Sequence, residues 1–225
     1  MRYYPIYADI SKKRCVVVGG GEVAWRKVER LMECGADVVV IGTELVGNLA
    51  LLVREGKVRH IPDEYKKEYI TDAWLVIGAT DCDDVNGAVC LDSRALKIPV
   101  NIVDDPEQCD FILPSVYRRG DLAMAISTGG KSPALAKMIR KELERCYGPE
   151  YQVLLDIMGT LRKEIIARGN PSDENKRIFE AILNTDILHQ IRNHNVVEIS
   201  RIVREAAGVE VDEELKMIIC RDSNK

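Results

Sequence analysis

Short apolar runs and helical patterns alternate along the first half of the chain. Residues 14–18 (RCVVV) and 37–41 (DVVVI) have the length and the β-branched composition of buried strands. Residues 22–34 lie between them with apolar side chains at helical spacing, Val23 among them, and Gly35 ends this segment. A strand, a helix and a strand within about 30 residues predict a βαβ unit, whose strands pair in parallel through a right-handed crossover.

The alternation continues to the end of the first half. It predicts a second helix over 44–55, a short strand over 58–61, a buried strand over 73–79, a helix over 85–96 and a strand over 100–103. Strands that alternate with helices are typical of α/β proteins. The pattern therefore predicts a parallel sheet of the Rossmann type, covered by helices on both faces.

The pattern changes after this α/β part. Two extended segments, 111–114 and 122–127, predict an added hairpin or strands that pair with a second subunit. A glycine-rich loop follows, in which Ser132 is the predicted N-cap and Pro133 the first residue of a helix that runs to about residue 146. From residue 149 the spacing is purely helical, with helices predicted over 149–166, 173–184 and 196–207. The second half therefore ends in a small helical module.

A glycine turn connects the first predicted strand to the first predicted helix. Residues 19–24 read G-G-G-E-V-A and fit G-x-G-x-x-A, the alanine form of the dinucleotide fingerprint. Gly19 permits the tight turn, Gly21 lets the backbone approach a pyrophosphate, and Ala24 is small enough for the helix to pack on the sheet. The helix N-terminus attracts phosphate. The expected cofactor contacts are Gly19, Gly21, Glu22, Val23 and Ala24; the alternative is a purely structural glycine turn.

Residues that follow three other strands are further candidates for ligand binding. Thr43 and Glu44 follow the second strand and are candidates for binding the adenosine ribose. A carboxylate here repels a 2′-phosphate and no arginine follows closely, which favours NAD over NADP. Thr80 and Asp104 follow two of the other buried strands. Open α/β sheets bind ligands at the carboxyl ends of their strands, so these side chains are expected at one edge.

Composition narrows the class of protein. With 225 residues, 46% of them apolar and 30% charged, the chain has the composition of an ordinary globular protein. The formal net charge of −4 argues against a dedicated nucleic-acid binder. No apolar stretch reaches membrane-spanning length, and residues 1–14 lack the apolar core of a signal peptide. We therefore expect a cytoplasmic protein that has no partner in the membrane.

The seven cysteines and three histidines form no recognisable ligand pattern. The number of cysteines is odd and no two of them form C-x-x-C, so disulfides and a zinc site are not expected. His189 and His194 are five residues apart, which does not place two ligands on one helical face. We expect reduced thiols, three surface histidines including His60, and no metal site.

Six sequence blocks resemble a known family. They are Val17–Ala24 with Arg26 and Lys27, Ala79–Asp81 with Asn86, Asn101–Asp104, Phe111–Ser115, Ser127–Pro133 and, near the N-terminus, Pro5–Tyr7. Taken in their order along the chain, the six blocks resemble precorrin-2 dehydrogenase. This is the dehydrogenase–chelatase module of siroheme synthase, which also occurs as a stand-alone protein. The resemblance covers residues 1–150 well and the helical tail in outline.

The resemblance implies an activity and an assembly. The activity is NAD-dependent oxidation of precorrin-2 to sirohydrochlorin, with the family's aspartate at Asp104 as general base or as the carboxylate that orients the macrocycle. The implied substrate contacts are Ser115, Thr128 and Lys131, which present hydroxyl and ammonium groups to a carboxylate-rich tetrapyrrole. Thr128 stands where many relatives carry serine. The assembly is a homodimer.

The same resemblance implies a role for each of three segments of the chain and leaves two alternative functions. Residues 1–113 are the expected NAD-binding domain, 114–148 the dimerisation and substrate-loop segment, and 149–225 the helical domain. One alternative is a bifunctional enzyme that also inserts Fe²⁺ into sirohydrochlorin. The other belongs to a different class, a Rossmann module that senses NAD without catalysis.

Overall fold

The computed structural model describes residues 2–220, which divide into two compact units between Leu113 and Pro114. The first unit contains a five-stranded parallel sheet and helices on both faces. Its strands are β1 (Arg14–Val18), β2 (Asp37–Ile41), β3 (Arg59–Ile61), β4 (Leu75–Gly78) and β5 (Val100–Ile102), and its α-helices are α1 (Glu22–Glu33), α2 (Gly47–Arg54) and α3 (Asp83–Ala95). Two 3₁₀ turns, Lys67–Ile70 and Pro106–Gln108, complete the unit. The predicted α/β class is confirmed.

The order of the strands defines where a ligand can bind. The sheet has the order β3-β2-β1-β4-β5 with every neighbouring pair parallel. The chain thus builds outward from β1 in one direction as far as β3, and then continues from β4 on the other side of β1. This reversal opens a crevice between the carboxyl ends of β1 and β4, the usual ligand site of doubly wound sheets.

Apolar side chains alternate between the two faces of the sheet. Val17 and Val40 pack on one face with Ala24, Val28 and Leu31 of α1. The other face holds Val16, Val18, Val39, Ile41 and Val76 together with Val89 and Cys90 of α3. Because successive strand residues point to opposite faces, continuous valine runs supply both cores at once. The apolar runs in the sequence therefore mark strands covered on two sides.

Several boundaries differ from the sequence-based prediction for physical reasons. The second helix begins at Gly47 rather than residue 44, because the N–H of Val46 is bonded to the carbonyl of Gly20 at 2.8 Å and the chain is extended there. The helix predicted from residue 85 begins earlier, at Asp83, where acidic side chains favour a helix N-terminus. Val23, expected on the buried face of α1, is 39% exposed at the start of that helix.

The second unit contains a hairpin and a group of helices. The strands are β6 (Ser115–Arg119) and β7 (Leu122–Ile126), which pair antiparallel. The helices are α4 (Pro133–Cys146), α5 (Glu150–Ala167), α6 (Ser172–Leu183), α7 (Ile187–Arg192), α8 (Val196–Ala207) and α9 (Glu213–Ile219). The hydroxyl oxygen of Ser132 accepts from the N–H of Leu135 at 3.2 Å, so Ser132 caps α4 as predicted.

The first hairpin strand lies later in the chain than predicted. Residues 111–114 were expected to be extended, and β6 instead begins at Ser115 and runs to a turn at Gly120, where φ is +55°. The amide of Asn101 donates to the carbonyl of Phe111 at 2.9 Å. This bond holds residue 111 against β5, so Phe111 packs with the first unit and takes no part in the hairpin.

A separate core lies inside the helical part of the second unit. Ile157, Leu161 and Ile165 of α5 are fully buried against α6 to α9. The carboxylate of Glu150, buried at the start of α5, accepts two hydrogen bonds from Arg192 of α7, at 2.6 and 2.9 Å. Within residues 2–220 the helices are all too short or too polar to cross a membrane.

Candidate functional site

The glycine turn after β1 forms an open cradle at the sheet edge. Gly19 has φ of +123°, and a Cβ there would overlap the carbonyl of Ala79 at the end of β4. A Cβ at Gly21 would meet nothing within 4 Å, so the space beside this residue is free. The first turn of α1 also receives no side-chain cap. Free N–H groups beside open space at a helix N-terminus fit a pyrophosphate, so the geometry accepts a dinucleotide.

Gly20, the middle glycine, is essential for a reason that the fingerprint does not contain. A Cβ at this position would overlap the carbonyl oxygen of Glu44, and the carbonyl of Gly20 accepts from the N–H of Val46 at 2.8 Å. The segment after β2 therefore lies directly against the turn. No spacing rule reveals this approach, since it joins residues that are 24 or more positions apart only after the sheet has formed.

Thr43 and Glu44 lie exposed at the carboxyl end of β2, at the edge where a ribose is expected. Glu44 touches the glycine turn through its backbone carbonyl. The ring of His60, half-buried on β3, lies 2.8 Å from the carbonyl of Gly42 and supports the same strand end. The expectation of an exposed surface position for His60 was therefore wrong. The ribose contacts of Thr43 and Glu44 stay predictions.

Thr80 lies beside Gly19, just after β4, and is held by a buried asparagine. The side-chain oxygen of Asn86 accepts from the Thr80 hydroxyl at 2.9 Å and from its N–H at 3.3 Å. The Asn86 amide nitrogen donates to the Thr80 carbonyl at 2.9 Å. Asn86 is 7% exposed, so these bonds replace the water it has lost. A single side chain thus fixes the backbone at the end of β4, beside the crevice.

Asp104 follows β5 at the same sheet edge, in a conformation that is unusual for a residue with a side chain. Its φ is +61°, in the left-handed region, and its carboxylate is exposed. Within residues 2–220 this carboxylate makes no hydrogen bond or ion pair. Strained backbone of this kind persists where surrounding structure enforces it and clusters at functional sites. The neighbouring Asp105 carboxylate is occupied by its own loop, accepting from Gln108 Nε2 at 2.6 Å and from the N–H of Glu107 at 3.1 Å.

A lysine of α1 adds positive charge near Asp104. Burial of Lys27 lowers the pKa of its ammonium group, and attraction to the Asp104 carboxylate opposes that effect. The cradle, Thr80, Asp104 and Lys27 all belong to the first unit, so the same sheet and helices position them. The edge presents a carboxylate that can accept a proton close to a cradle that fits a dinucleotide.

The three predicted substrate contacts lie in the second unit, at one end of its hairpin. Ser115 begins β6 and pairs with Ile126, the last residue of β7. Thr128 follows two residues later, where its hydroxyl accepts from the N–H of Ser132 at 3.1 Å. Lys131 is exposed in the same loop. The structure therefore groups these three residues with one another, and their substrate contacts stay predictions.

The buried thiols of the first unit are poor candidates for a second reactive centre. Cys15, Cys90 and Cys109 are buried, and burial raises the pKa of each thiol, to about 11 for Cys15. They are therefore protonated at neutral pH and poor nucleophiles. Among the described residues, no three His, Cys, Asp or Glu side chains come together in a way that could hold a metal ion.

The fold and the cradle together define a doubly wound α/β protein of the dinucleotide-binding class. A family model described as putative NAD(P)-binding matches residues 6–115, and one described as sirohaem biosynthesis protein central matches residues 119–145. The chain is 37% identical to siroheme synthase 3 of Aeromonas hydrophila over 84% of its length, and 32% identical to siroheme synthase of Saccharophagus degradans over 97%. The chain is therefore a homologue of siroheme synthases over most of its own length.

The matches also show how much of each relative this chain covers. The chain spans 41% of the Aeromonas protein and 48% of the Saccharophagus protein, less than half of each. Among solved structures, it matches SirC, described as precorrin-2 dehydrogenase, with a TM-score of 0.73 and 21% identity. That match covers 92% of this chain and all of the other. It establishes that the two proteins share a fold through both units.

Proposed function

We propose that this chain is an NAD-dependent dehydrogenase that oxidises precorrin-2 to sirohydrochlorin. The observation that carries the proposal is Asp104, an exposed carboxylate held with φ of +61° on the sheet edge that bears the dinucleotide cradle. The names of the similar proteins, siroheme synthase and precorrin-2 dehydrogenase, supply the substrate class. The work of the site is then to bind a dinucleotide and a tetrapyrrole together and to accept a proton.

The chemistry follows from the residues at the edge. Oxidation removes two hydrogens from the macrocycle, one as hydride and one as a proton. Bound NAD⁺ supplies the hydride acceptor. The N–H groups after Gly21 bind the pyrophosphate. Thr80, fixed by Asn86, borders the crevice at the end of β4. Asp104 accepts the proton, or it orients the macrocycle by accepting hydrogen bonds from the pyrrole N–H groups of the macrocycle.

The remaining assignments belong to the same proposal. Residues 1–113 bind NAD, 114–148 form the dimerisation and substrate-loop segment, and the segment from 149 is the helical domain. This assignment covers residues 1–225, of which residue 1 and residues 221–225 lie outside the described part of the chain. Ser115, Thr128 and Lys131 bind substrate, whose carboxylates pair with the exposed ammonium. Glu44 at the β2 end favours NAD over NADP by repelling a 2′-phosphate. The protein acts as a homodimer in the cytoplasm.

An anaerobic assay with the asparagine variant of Asp104 tests the proposal. The wild-type chain is mixed with precorrin-2 and NAD⁺, and NADH and sirohydrochlorin are followed together. We expect Asp104→Asn to lower kcat by about 100-fold or more, the range for loss of a general base, while the Kd for NAD⁺ is unchanged. The matched control is Glu107→Gln, which removes the same charge from an exposed side chain of the same loop.

The outcomes separate the classes of function. Turnover by the wild type and by Glu107→Gln, with loss in Asp104→Asn, supports the dehydrogenase and its base. NAD⁺ binding by the wild type without any precorrin-2 oxidation contradicts the proposal and favours a module that senses the nucleotide. Equal turnover by all three chains leaves the dehydrogenase standing and removes Asp104 from its mechanism.

A further inference from the structure

The loop that carries Asp104 closes around a buried sulfur atom. Cys109 is 7% exposed, and its Sγ lies within hydrogen-bonding distance of four groups. It accepts from the N–H of Ile102 at 3.3 Å and from the amide of Asn101 at 3.2 Å. It also lies 3.2 Å from the carbonyl of Ile102 and 3.1 Å from that of Asp105, either of which can accept its proton. Asp104 lies between residues that both contact this sulfur.

The position of β5 at the end of the described sheet explains why a hydrogen-bond acceptor is needed beside Ile102. In the described sheet β5 is the last strand on its side, so the N–H of Ile102 has no strand to bond to on its outer edge. Cys109 supplies the acceptor. The segment around it also covers this edge further along, because the N–H of Asp110 donates to the carbonyl of Val100 at 2.8 Å. The chain therefore turns back on its own strand, and residues 103–108 form a loop closed at its base by Cys109.

A protonated thiol is needed for this arrangement, since only the thiol can donate. Burial raises the pKa of Cys109, so the S–H form persists at neutral pH. The sulfur can then accept from nitrogens on the strand side and donate to the carbonyl of Asp105 on the loop side. Asp105 in turn fixes the rest of the loop by accepting from the N–H groups of Glu107 and Gln108.

We propose that Cys109 is a positioning residue for the reaction, which holds Asp104 in its left-handed conformation by binding the residues on both sides of it. The inference rests on the proposed function, because it concerns the proton acceptor of that reaction. Cys109 touches neither substrate nor cofactor. Its contribution is to fix the direction of the Asp104 carboxylate, and misplacement of a catalytic group by about 1 Å can cost up to a hundredfold in rate.

The neighbouring Cys90 offers a matched control. It is buried to 2% exposure on α3, close to the same loop, and its Sγ makes one long contact of 3.7 Å with the carbonyl of Gln108. Cys90→Ala therefore removes the same volume from a similar environment without touching the residues beside Asp104. Cys109→Ser is the conservative variant, since its hydroxyl can both accept and donate over a slightly shorter reach.

The experiment compares Cys109→Ala, Cys109→Ser and Cys90→Ala in steady-state kinetics with precorrin-2 and NAD⁺. We expect Cys109→Ala to lower kcat about tenfold with the KM for NAD⁺ unchanged, while Cys109→Ser recovers most of the rate and Cys90→Ala stays within about twofold of wild type. Amide hydrogen exchange, read on the same variants without substrate, is expected to accelerate over residues 103–105 in Cys109→Ala and not in Cys90→Ala, whose contact is with Gln108.

A double variant distinguishes positioning from general destabilisation. If Cys109 acts through Asp104, then Asp104→Asn with Cys109→Ala turns over no more slowly than Asp104→Asn by itself. Full additivity of the two losses, or equal kcat for Cys109→Ala and Cys90→Ala, overturns the proposal while the dehydrogenase stands. A wild-type chain that binds NAD⁺ without turnover is a failure of the proposed function, and it overturns the role of Cys109 in catalysis with it. Should Cys109→Ala not fold, Cys109→Val takes its place, because its side chain fills the site of the thiol and can neither accept nor donate a hydrogen bond.

Discussion

Gly20 and Gly21 are adjacent residues at which glycine is required for different reasons. At Gly20 the carbonyl of Glu44 occupies the space that a Cβ would need, so the chain itself excludes any side chain. At Gly21 that space is empty, and its backbone angles, φ of −83° and ψ of −177°, suit any residue. The first glycine therefore serves the fold, and the second leaves room for a ligand.

A pair of alanine variants separates these two roles. Gly20→Ala is expected to lower the free energy of unfolding by about 2–3 kcal/mol, since backbone must move to relieve the overlap. Gly21→Ala is expected to change it by less than about 0.5 kcal/mol and to weaken NAD⁺ binding, because the methyl group fills the phosphate space. Denaturant unfolding with and without NAD⁺ measures both effects. Normal NAD⁺ affinity in Gly21→Ala would contradict the assignment of the cradle.

At this scale the sequence predicts the glycine turn and its helix, and the other contacts depend on residues that are distant in the chain. The fingerprint identifies Gly19, Gly21 and the start of α1 because its spacing reflects local geometry. The need for glycine at position 20 and the role of Cys109 depend on atoms brought together by the sheet, and no local pattern contains them. The sequence places Asn86 in one of the blocks that resemble the family, but it does not predict the three hydrogen bonds between Asn86 and Thr80.

At the scale of elements, the 3₁₀ turn over Lys67–Ile70 is tied to the loop before it through a carboxylate. Asp63 accepts hydrogen bonds from Lys66 and from the hydroxyl of Tyr69. These bonds lower the pKa of Asp63 from its usual value near 3.8 to about 2. A carboxylate with a depressed pKa stabilises the folded state while it is ionised.

This depression predicts a pH window for the loop. The contribution of Asp63 is fully present above about pH 4 and is lost as the pH falls towards 2, because the folded state then loses the charge that the bonds require. Asp63→Asn is therefore expected to be less stable than wild type at pH 6, with the difference shrinking through this window. Denaturant midpoints of both proteins across pH 2–6 measure it. A constant difference across the range would contradict the linkage.

The elements that the sequence failed to predict share a physical cause. The helix Ile187–Arg192 has six residues, too few for a helical period to stand out, and it exists through burial of Ile187 and Ile191. The long helices α4 and α8 matched closely, since each has a cap or a stop residue and several turns of apolar spacing. Tertiary packing decided the short elements, and local signals decided the long ones.

At the scale of the whole molecule, the two units have separate hydrophobic cores. The cores of the first unit lie on the two faces of the sheet, and that of the second lies among α5 to α9. All of the expected cofactor contacts belong to the first unit, and the expected substrate contacts Ser115, Thr128 and Lys131 belong to the second. Cofactor affinity and the stability of the helical core are therefore expected to respond to different substitutions.

Two core variants test this separation. Ile157→Ala, in the fully buried centre of the helical core, is expected to lower the free energy of unfolding of the second unit by about 3 kcal/mol. The Kd for NAD⁺ is expected to stay within about twofold of wild type. Val28→Ala, on the buried face of α1, is expected to weaken NAD⁺ binding instead, since it loosens the helix whose N-terminus forms part of the cradle. Calorimetric titration and thermal unfolding report both quantities, and a loss of NAD⁺ affinity in Ile157→Ala would contradict the separation.

At Asp104 the left-handed backbone is expected to lower the stability of the fold, while the proposed reaction needs the carboxylate. A glycine there would relieve the strain, and Asp104→Gly is expected to raise the free energy of unfolding by about 0.5–1 kcal/mol while it abolishes turnover. Thermal unfolding beside the precorrin-2 assay would reveal both effects in one protein. If both effects are found, the residue that suits the backbone at this position differs from the residue that the proposed reaction needs.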